Sequence, residues 1–290
     1  MKKLRTRGHR VVLNRSAGGD FAINLFLLIL GIIMFLPLYY VLIQSLKPLD
    51  ELFYYPPKFY VVNPTLSNFT DLFQLMSESW VPFSRYIFNT VFITAAGVFG
   101  NLVLSSLCAY ALSKIPFPGR KFFFELIVKS LMISSAVGGT IQFVIIAKMG
   151  LMDNLLAIIL PSWSSTLGLY LMKQFVDANI SNEVLESARL DGASEFRTFW
   201  SIAMPMVKPA WITLIINSFQ GLWNTGASTF IHSEELKTLN YAMSQVLSAG
   251  IARSGATSAS SVIMLLVPII VFVVGQSNIV ETMASSGMKD

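Results

Sequence analysis

An all-α membrane protein with six transmembrane helices is the fold class this sequence predicts, and three observations predict it. Hydrophobic residues make up 54% of the 290, and charged residues only 13%, against roughly a quarter charged in soluble domains. Six apolar stretches reach or approach the roughly 20 residues with which a helix crosses a hydrocarbon core. Between the fourth and fifth lies a short charged amphipathic segment, residues 186–205, reading ESARLDGASEFRTFWSIAMP.

The stretches fall at residues 21–46, 86–113, 122–146, 155–174, 209–223 and 261–279, the fifth being the shortest. Helices are the expected form because a chain in lipid must satisfy its own backbone hydrogen bonds. The first run is far longer than a signal-peptide core of roughly 7 to 15 residues, so it is expected to stay as an anchor. The chain then divides into a basic tail (1–20), a first span (21–46), an external loop (47–85), a five-helix core (86–279) that includes the loop 175–208, and a second tail (280–290). With the amino terminus inside, fourteen of the 21 Lys and Arg residues lie on the inner side, six lie outside, and Lys129 sits within the third span. The positive-inside rule therefore places both termini and the 186–205 loop in the cytoplasm. This topogenic role accounts for the net charge of +5 without a nucleic-acid partner; the basic tail can also meet anionic membrane lipid.

Several chemistries are excluded. Cys108 is the one cysteine and His9 and His232 are the two histidines, so neither a disulfide nor a Cys or His metal centre can be built. No G-x-x-x-x-G-K-[ST] loop is present to cradle a nucleotide phosphate. The sequence offers no catalytic residue and no cofactor site, so the energy for any work must come from another subunit or an ion gradient.

The 186–205 loop reads as two short helices meeting at a glycine. Ser181 or Asn182 can cap the first, Glu183 and Glu186 suit its positive end, and Val184, Leu185 and Ala188 form an exposed apolar stripe. Gly192 can take the left-handed conformation at the helix end. Ser194 can cap the second helix, whose stripe is Phe196, Phe199, Trp200 and Ala203 before Pro205 ends or kinks it. An amphipathic hairpin lying on the bilayer is the plain alternative.

The same string fits the pattern E-A-A, three residues, G, nine residues, I-x-L-P at Glu186, Ser187, Ala188, Gly192, Ile202, Met204 and Pro205, with Ser187 and Met204 as mild departures. It resembles the cytoplasmic coupling loop of permease subunits in ATP-binding-cassette (ABC) importers. The Lys47 to Trp80 loop (PPKFYVVNPTLSNFTDLF), Asn89 and Thr90 at the second span, LYLMKQFVDANISNEVLESARLDGAS, the pair Trp223 and Asn224, and Lys237 to Leu239 are similar to the carbohydrate permeases of the maltose-transporter class. The Leu190, Asp191, Gly192 run favours that class over peptide permeases.

The resemblance implies a type I ABC importer permease fold with a cytoplasmic coupling helix, in a bacterial or archaeal plasma membrane. It implies a second permease in a heterodimer, two ATPase subunits holding ATP and Mg, an external solute-binding protein and a sugar substrate. Glu186, Ser187, Ala188, Asp191 and Gly192 are then expected at the ATPase groove, Asp191 being also available for the corner's own hydrogen bonds.

Polar groups within spans face the bundle interior or a water-filled path, so Asn217, Gln220, Trp223, Asn224, Ser162 and Trp163 are candidates for the substrate pathway, with helix-to-helix adhesion as the alternative. In the outer loop 226–260, residues 229–250 with His232, Glu234, Glu235 and Lys237 are candidates to meet the binding protein. A type I importer for another solute, a secondary transporter and a non-transport scaffold are the competing functions. A secondary transporter would need repeated halves and intramembrane carboxylates; no repeat is visible and only Glu125 lies plausibly inside a span.

Overall fold

The computed structural model describes residues 17–77, 80–133, 135–226, 228–248, 250 and 253–286. Most of the expected 1–20 tail and the last four residues of the 280–290 tail lie outside the described residues. Among them every regular element is helical. The helices are α1 (Ala17–Leu46), α2 (Leu49–Leu52), α3 (Ser67–Ser77), α4 (Phe83–Lys114), α5 (Arg120–Ser130), α6 (Ser135–Lys148), α7 (Leu156–Ser162), α8 (Thr166–Asn179), α9 (Asn182–Leu190), α10 (Glu195–Thr198), α11 (Met204–Met206), α12 (Lys208–Trp223), α13 (Leu239–Ser248) and α14 (Ser254–Ser286).

Among the described residues three helices are long and apolar enough to cross a membrane: Gly18–Leu46, Phe83–Lys114 and Ser254–Gln276. α1 exposes apolar residues around its whole girth, as a helix bathed in hydrocarbon does, and it packs on α14 and α3. α4 is the central post, with α7, α8 and α12 leaning on it. Small and polar residues let the backbones approach there: Gly97, Gly100, Ser105, Ser106 and Ala109 are all buried on α4. Asn101 donates to Ser218 of α12 and accepts from Ser105, so a polar chain runs through the apolar core.

Where the sequence suggested unbroken third and fourth spans, the structure has pairs of shorter helices. Residues 122–146 divide into α5 and α6 around a serine-rich turn, where the Ser130 hydroxyl bonds back to the Ile127 carbonyl instead of leaving the backbone to continue. Residues 155–174 divide into α7 and α8, because Ser165 takes extended geometry and accepts from the Gly168 amide, starting a new helix. The fifth stretch, α12, meets the preceding segment Glu195–Met206 at a bend of 82°. Here Pro205, which lacks the amide that would continue the ladder, follows a π-helical turn at Phe199–Ala203, and the break comes at Val207. The last helix also continues past residue 279 to Ser286.

Candidate functional site

The inner corner is built from α9, Gly192 and α10. Residue 181 occupies the cap position of α9 in extended backbone but makes no side-chain cap bond, so the expected Ser181 or Asn182 cap is not formed. The Ser194 cap is formed, its hydroxyl accepting from the Arg197 amide at 3.3 Å. At the far end of α9 the Gly192 amide donates to the Arg189 carbonyl and the Ala193 amide to the Ala188 carbonyl, both at 3.0 Å. This is a Schellman closure, and it requires the left-handed φ of +77° that Gly192 adopts.

Side chains then lock the corner to the bundle. The Glu195 carboxylate accepts from Arg189 Nε at 2.7 Å and from the Tyr110 hydroxyl of α4 at 3.3 Å. Tyr110 also meets Phe199 edge-on at 5.4 Å. Lys114, at the end of α4, donates to the Ile180 carbonyl at 2.6 Å and so fixes the approach to α9. Nothing in the local pattern around Tyr110 or Lys114 marked these roles, because both partners are distant in sequence.

The face presented outward differs from the expected stripe. Leu185 (2% exposed) and Ala188 (6%) are both buried, and Leu185 packs in the core cluster with Met172, Val176, Ile180 and Phe199. An apolar pair at a spacing of three anchors an amphipathic helix on its own core before it can meet another protein. Glu186, Ser187, Asp191 and Gly192 remain exposed, and Leu190 stands 90% exposed at the corner. Ser187 also bonds back to the Glu183 carbonyl at 2.9 Å. Phe196 and Trp200 are exposed on the second segment, while Phe199 and Ala203 are buried.

On α12 the candidates Asn217, Gln220 and Asn224, at spacings of three and four, share a face and are all exposed, with Gly221 exposed beside them. Trp223 is not among them. It is buried, stacks on Phe219 and donates to the Met264 carbonyl of α14 at 3.3 Å. Trp163 donates to the Ala96 carbonyl at 3.0 Å and covers Gly100, and Ser162 bonds to the Ile159 carbonyl. The two tryptophans thus tie α12 to α14 and the end of α7 to α4, the helix-to-helix adhesion that was the alternative to a pathway role, while the Ser162 bond stays within α7.

At the opposite end, the loop carrying the four outer candidates is clamped. Asn89 Nδ2 donates to the carbonyls of Glu235 and Lys237, and Thr90 Oγ1 accepts from the Leu239 amide at 2.8 Å. The N-T pair at the head of the second span thus has a mechanical role the sequence gave no direct sign of. Glu234 is occupied by the Tyr86 hydroxyl and by Lys237, which also lies over the Tyr241 ring at 4.0 Å. His232 and Glu235 stay exposed. Nearly half of the 229–250 stretch is α13, whose buried Leu239, Ala242, Met243 and Val246 go with its packing on α14 and α4, so it is not a solvated loop.

Asp153 completes this clamp: its carboxylate accepts from the amides of His232 (2.9 Å) and Ser233 (2.8 Å) and from the Ser233 hydroxyl. These donors hold the Asp153 pKa below its ordinary value. A depressed carboxylate contributes stability above its unfolded pKa and loses it as pH falls through the folded one. The protection factors of the His232 and Ser233 amides, that is, their exchange relative to the intrinsic rate at each pH, are therefore expected to fall specifically as pH drops through the acid range below the free aspartate value. Asp153→Asn is expected to remove that step; an unchanged step in the variant would assign it to another group.

The sequence profile of binding-protein-dependent transport system inner membrane components matches residues 19–285. The arabinooligosaccharides transport system permease protein AraQ of Bacillus subtilis is 27% identical over 270 residues, covering 92% of this chain and 95% of its own length. The sn-glycerol-3-phosphate transport system permease protein UgpE of Yersinia enterocolitica is 30% identical over 207 residues, or 68% and 71% of the two chains. The polygalacturonan/rhamnogalacturonan transport system permease protein YtcP of Bacillus subtilis is 29% identical over 214 residues, or 73% and 72%. Among solved structures, a chain of a bacterial ABC transporter involved in the import of the acidic polysaccharide alginate shares this fold with a TM-score of 0.77 and 23% identity, over 91% of this chain and 98% of that one.

Proposed function

The chain belongs to the family of binding-protein-dependent transport system inner membrane components, and from that membership we propose that it is the permease subunit of an ATP-driven importer of oligosaccharides or polysaccharides. The relatives that handle arabinooligosaccharides and polygalacturonan or rhamnogalacturonan support a saccharide. A phosphorylated small solute, as in the glycerol-3-phosphate relative, is the second reading.

The subunit is no enzyme; ATP and Mg act on a separate ATPase. Two ATPases, a second permease and an external binding protein complete the assembly. In the proposed topology six segments cross the membrane, the third and fourth as broken helices and the fifth as α12, with both termini in the cytoplasm. The exposed edge of the inner corner, Glu186, Ser187, Leu190, Asp191 and Gly192, receives the motion of the ATPase. Leu185 and Ala188 pass it into the bundle. The observation that carries this reading is the closed, φ-positive corner braced on α4 through Glu195 and Tyr110, since a rigid lever transmits displacement that a loose loop would absorb. The polar face of Asn217, Gln220 and Asn224 suits sugar hydroxyls along the path, and His232 and Glu235 suit the docked binding protein.

Vesicles holding the complete complex are expected to accumulate a labelled oligosaccharide only with ATP inside and binding protein outside. Uptake driven by an ion gradient without ATP would overturn the reading. Reporter fusions at Gly119 and Gly192 are expected to report cytoplasm, and those at Ser67 and Ser248 the outside; access to Gly192 from outside would sink the topology.

A further inference from the structure

Among the described residues, the segment that follows α1 carries a row of aromatic side chains that no other element covers. Phe53, Tyr54, Tyr55, Phe59 and Tyr60 are all exposed, Tyr55 to 93% and Tyr60 to 58%. The segment is nevertheless well held. Glu51 accepts from the amides of Val62 and Asn63, the Thr65 amide returns to the Leu46 carbonyl, and buried Asn68 donates to the carbonyls of Ser45 and Lys47. Lys58, the one cation within residues 53–60, lies over the rings of Tyr54 at 4.8 Å and Tyr60 at 5.7 Å.

Its depth follows from α1. Counting from Phe21, which follows the charged Asp20, the roughly 20 residues that span about 30 Å of hydrocarbon end near Tyr40. Tyr39 donates to the Phe59 carbonyl and Tyr40 packs on the Phe59 ring at 5.8 Å, so the aromatic segment folds back down α1 to the level at which the hydrocarbon ends. That is the level favoured by side chains with an apolar body and a polar tip. A lysine held by aromatic faces there meets lipid phosphate.

We propose that residues 53–60 form an interfacial anchor seated in the outer leaflet, with Tyr54, Tyr55, Phe59 and Tyr60 in the headgroup boundary and Lys58 toward anionic headgroups. The anchor fixes the height and tilt of α1, the helix at the edge of the bundle. It rests on the outward placement of residues 47–85 proposed above.

The test uses the complete importer in phosphatidylethanolamine and phosphatidylglycerol vesicles, with Cys108→Ser as background and a nitroxide placed at Tyr55→Cys, Tyr60→Cys or Asn63→Cys. Labels at 55 and 60 are expected to be relaxed several-fold more by oxygen than by a water-soluble nickel chelate, and the label at 63 the reverse. A nickel-accessible label at both 55 and 60 would overturn the anchor. So would protection of both from oxygen and nickel alike, which would assign the surface to a protein partner. Reaction of the Asn63→Cys thiol with an impermeant reagent added outside checks the topology separately, so failure of the anchor and failure of the orientation are distinguishable.

Discussion

Gly192→Val is expected to leave the chain folded and inserted while reducing transport by about 5- to 30-fold. A Cβ at Gly192 would meet nothing within 4 Å, so the penalty is not crowding. It lies in the backbone, where a β-branched residue held at φ +77° is strained by about 1–2 kcal/mol. The chain relieves that strain by abandoning the Schellman closure, and each 1.4 kcal/mol removes about tenfold from the population holding the corner geometry.

Asparagine visits left-handed backbone readily, so Gly192→Asn is expected to retain most transport. Glu186→Lys, which reverses a charge on the exposed edge, is expected to weaken ATPase co-purification. Arg253→Ala on the outer side is expected to spare it. Transport in reconstituted vesicles, measured together with the amount of ATPase retained, separates these outcomes. Wild-type transport with a full complement of ATPase in both Gly192→Val and Glu186→Lys would make the corner a passive connector.

The second large effect is expected at Gly100, on the fold itself. A Cβ there would stand 2.0 Å from Trp163 Nε1 and 2.2 Å from its Cε2, within an indole pinned by its bond to the Ala96 carbonyl. Neither partner can yield cheaply, since moving the ring breaks that bond and opens the seam between α4 and α7. Overpacking of this kind costs about 1–3 kcal/mol, and a lost buried hydrogen bond about 1 more. Gly100→Val is therefore expected to lower the thermal aggregation midpoint of the purified chain and its yield from membranes. Adding Trp163→Ala is expected to recover part of the loss by making room. Gly221→Val, where a Cβ meets nothing within 4 Å, is expected to leave the midpoint unchanged. Equal loss at 100 and 221 would mean the close approach of α4 and α7 is not what demands glycine.

The local patterns of this chain are strong where a single stretch of sequence contains the whole cause. The apolar runs at 21–46, 86–113 and 261–279 each became one long helix, because a continuous apolar surface in lipid leaves the backbone no other partner. Ser194 became a cap and Gly192 a left-handed corner, because both respond to hydrogen bonds within a few residues of themselves. The face shared by Asn217, Gln220 and Asn224 was likewise set by helical period.

Burial and partnership were decided by the tertiary structure, because they depend on what arrives from elsewhere in the chain. Leu185 and Ala188 read as a surface stripe until α8 and the segment after Gly192 covered them. Trp223 and Trp163 read as pathway candidates with helix adhesion as the alternative, and only packing supplies the Met264 and Ala96 carbonyls that accept from their indole N–H groups. The two interrupted spans are apolar enough to run through, yet serine hydroxyls beside the turns offered the backbone a competing bond. Asn89, Thr90, Tyr110 and Asp153 carry their roles across separations of dozens of residues or more, and no periodicity in a single sequence encodes a bond that only packing brings to 3.3 Å or less.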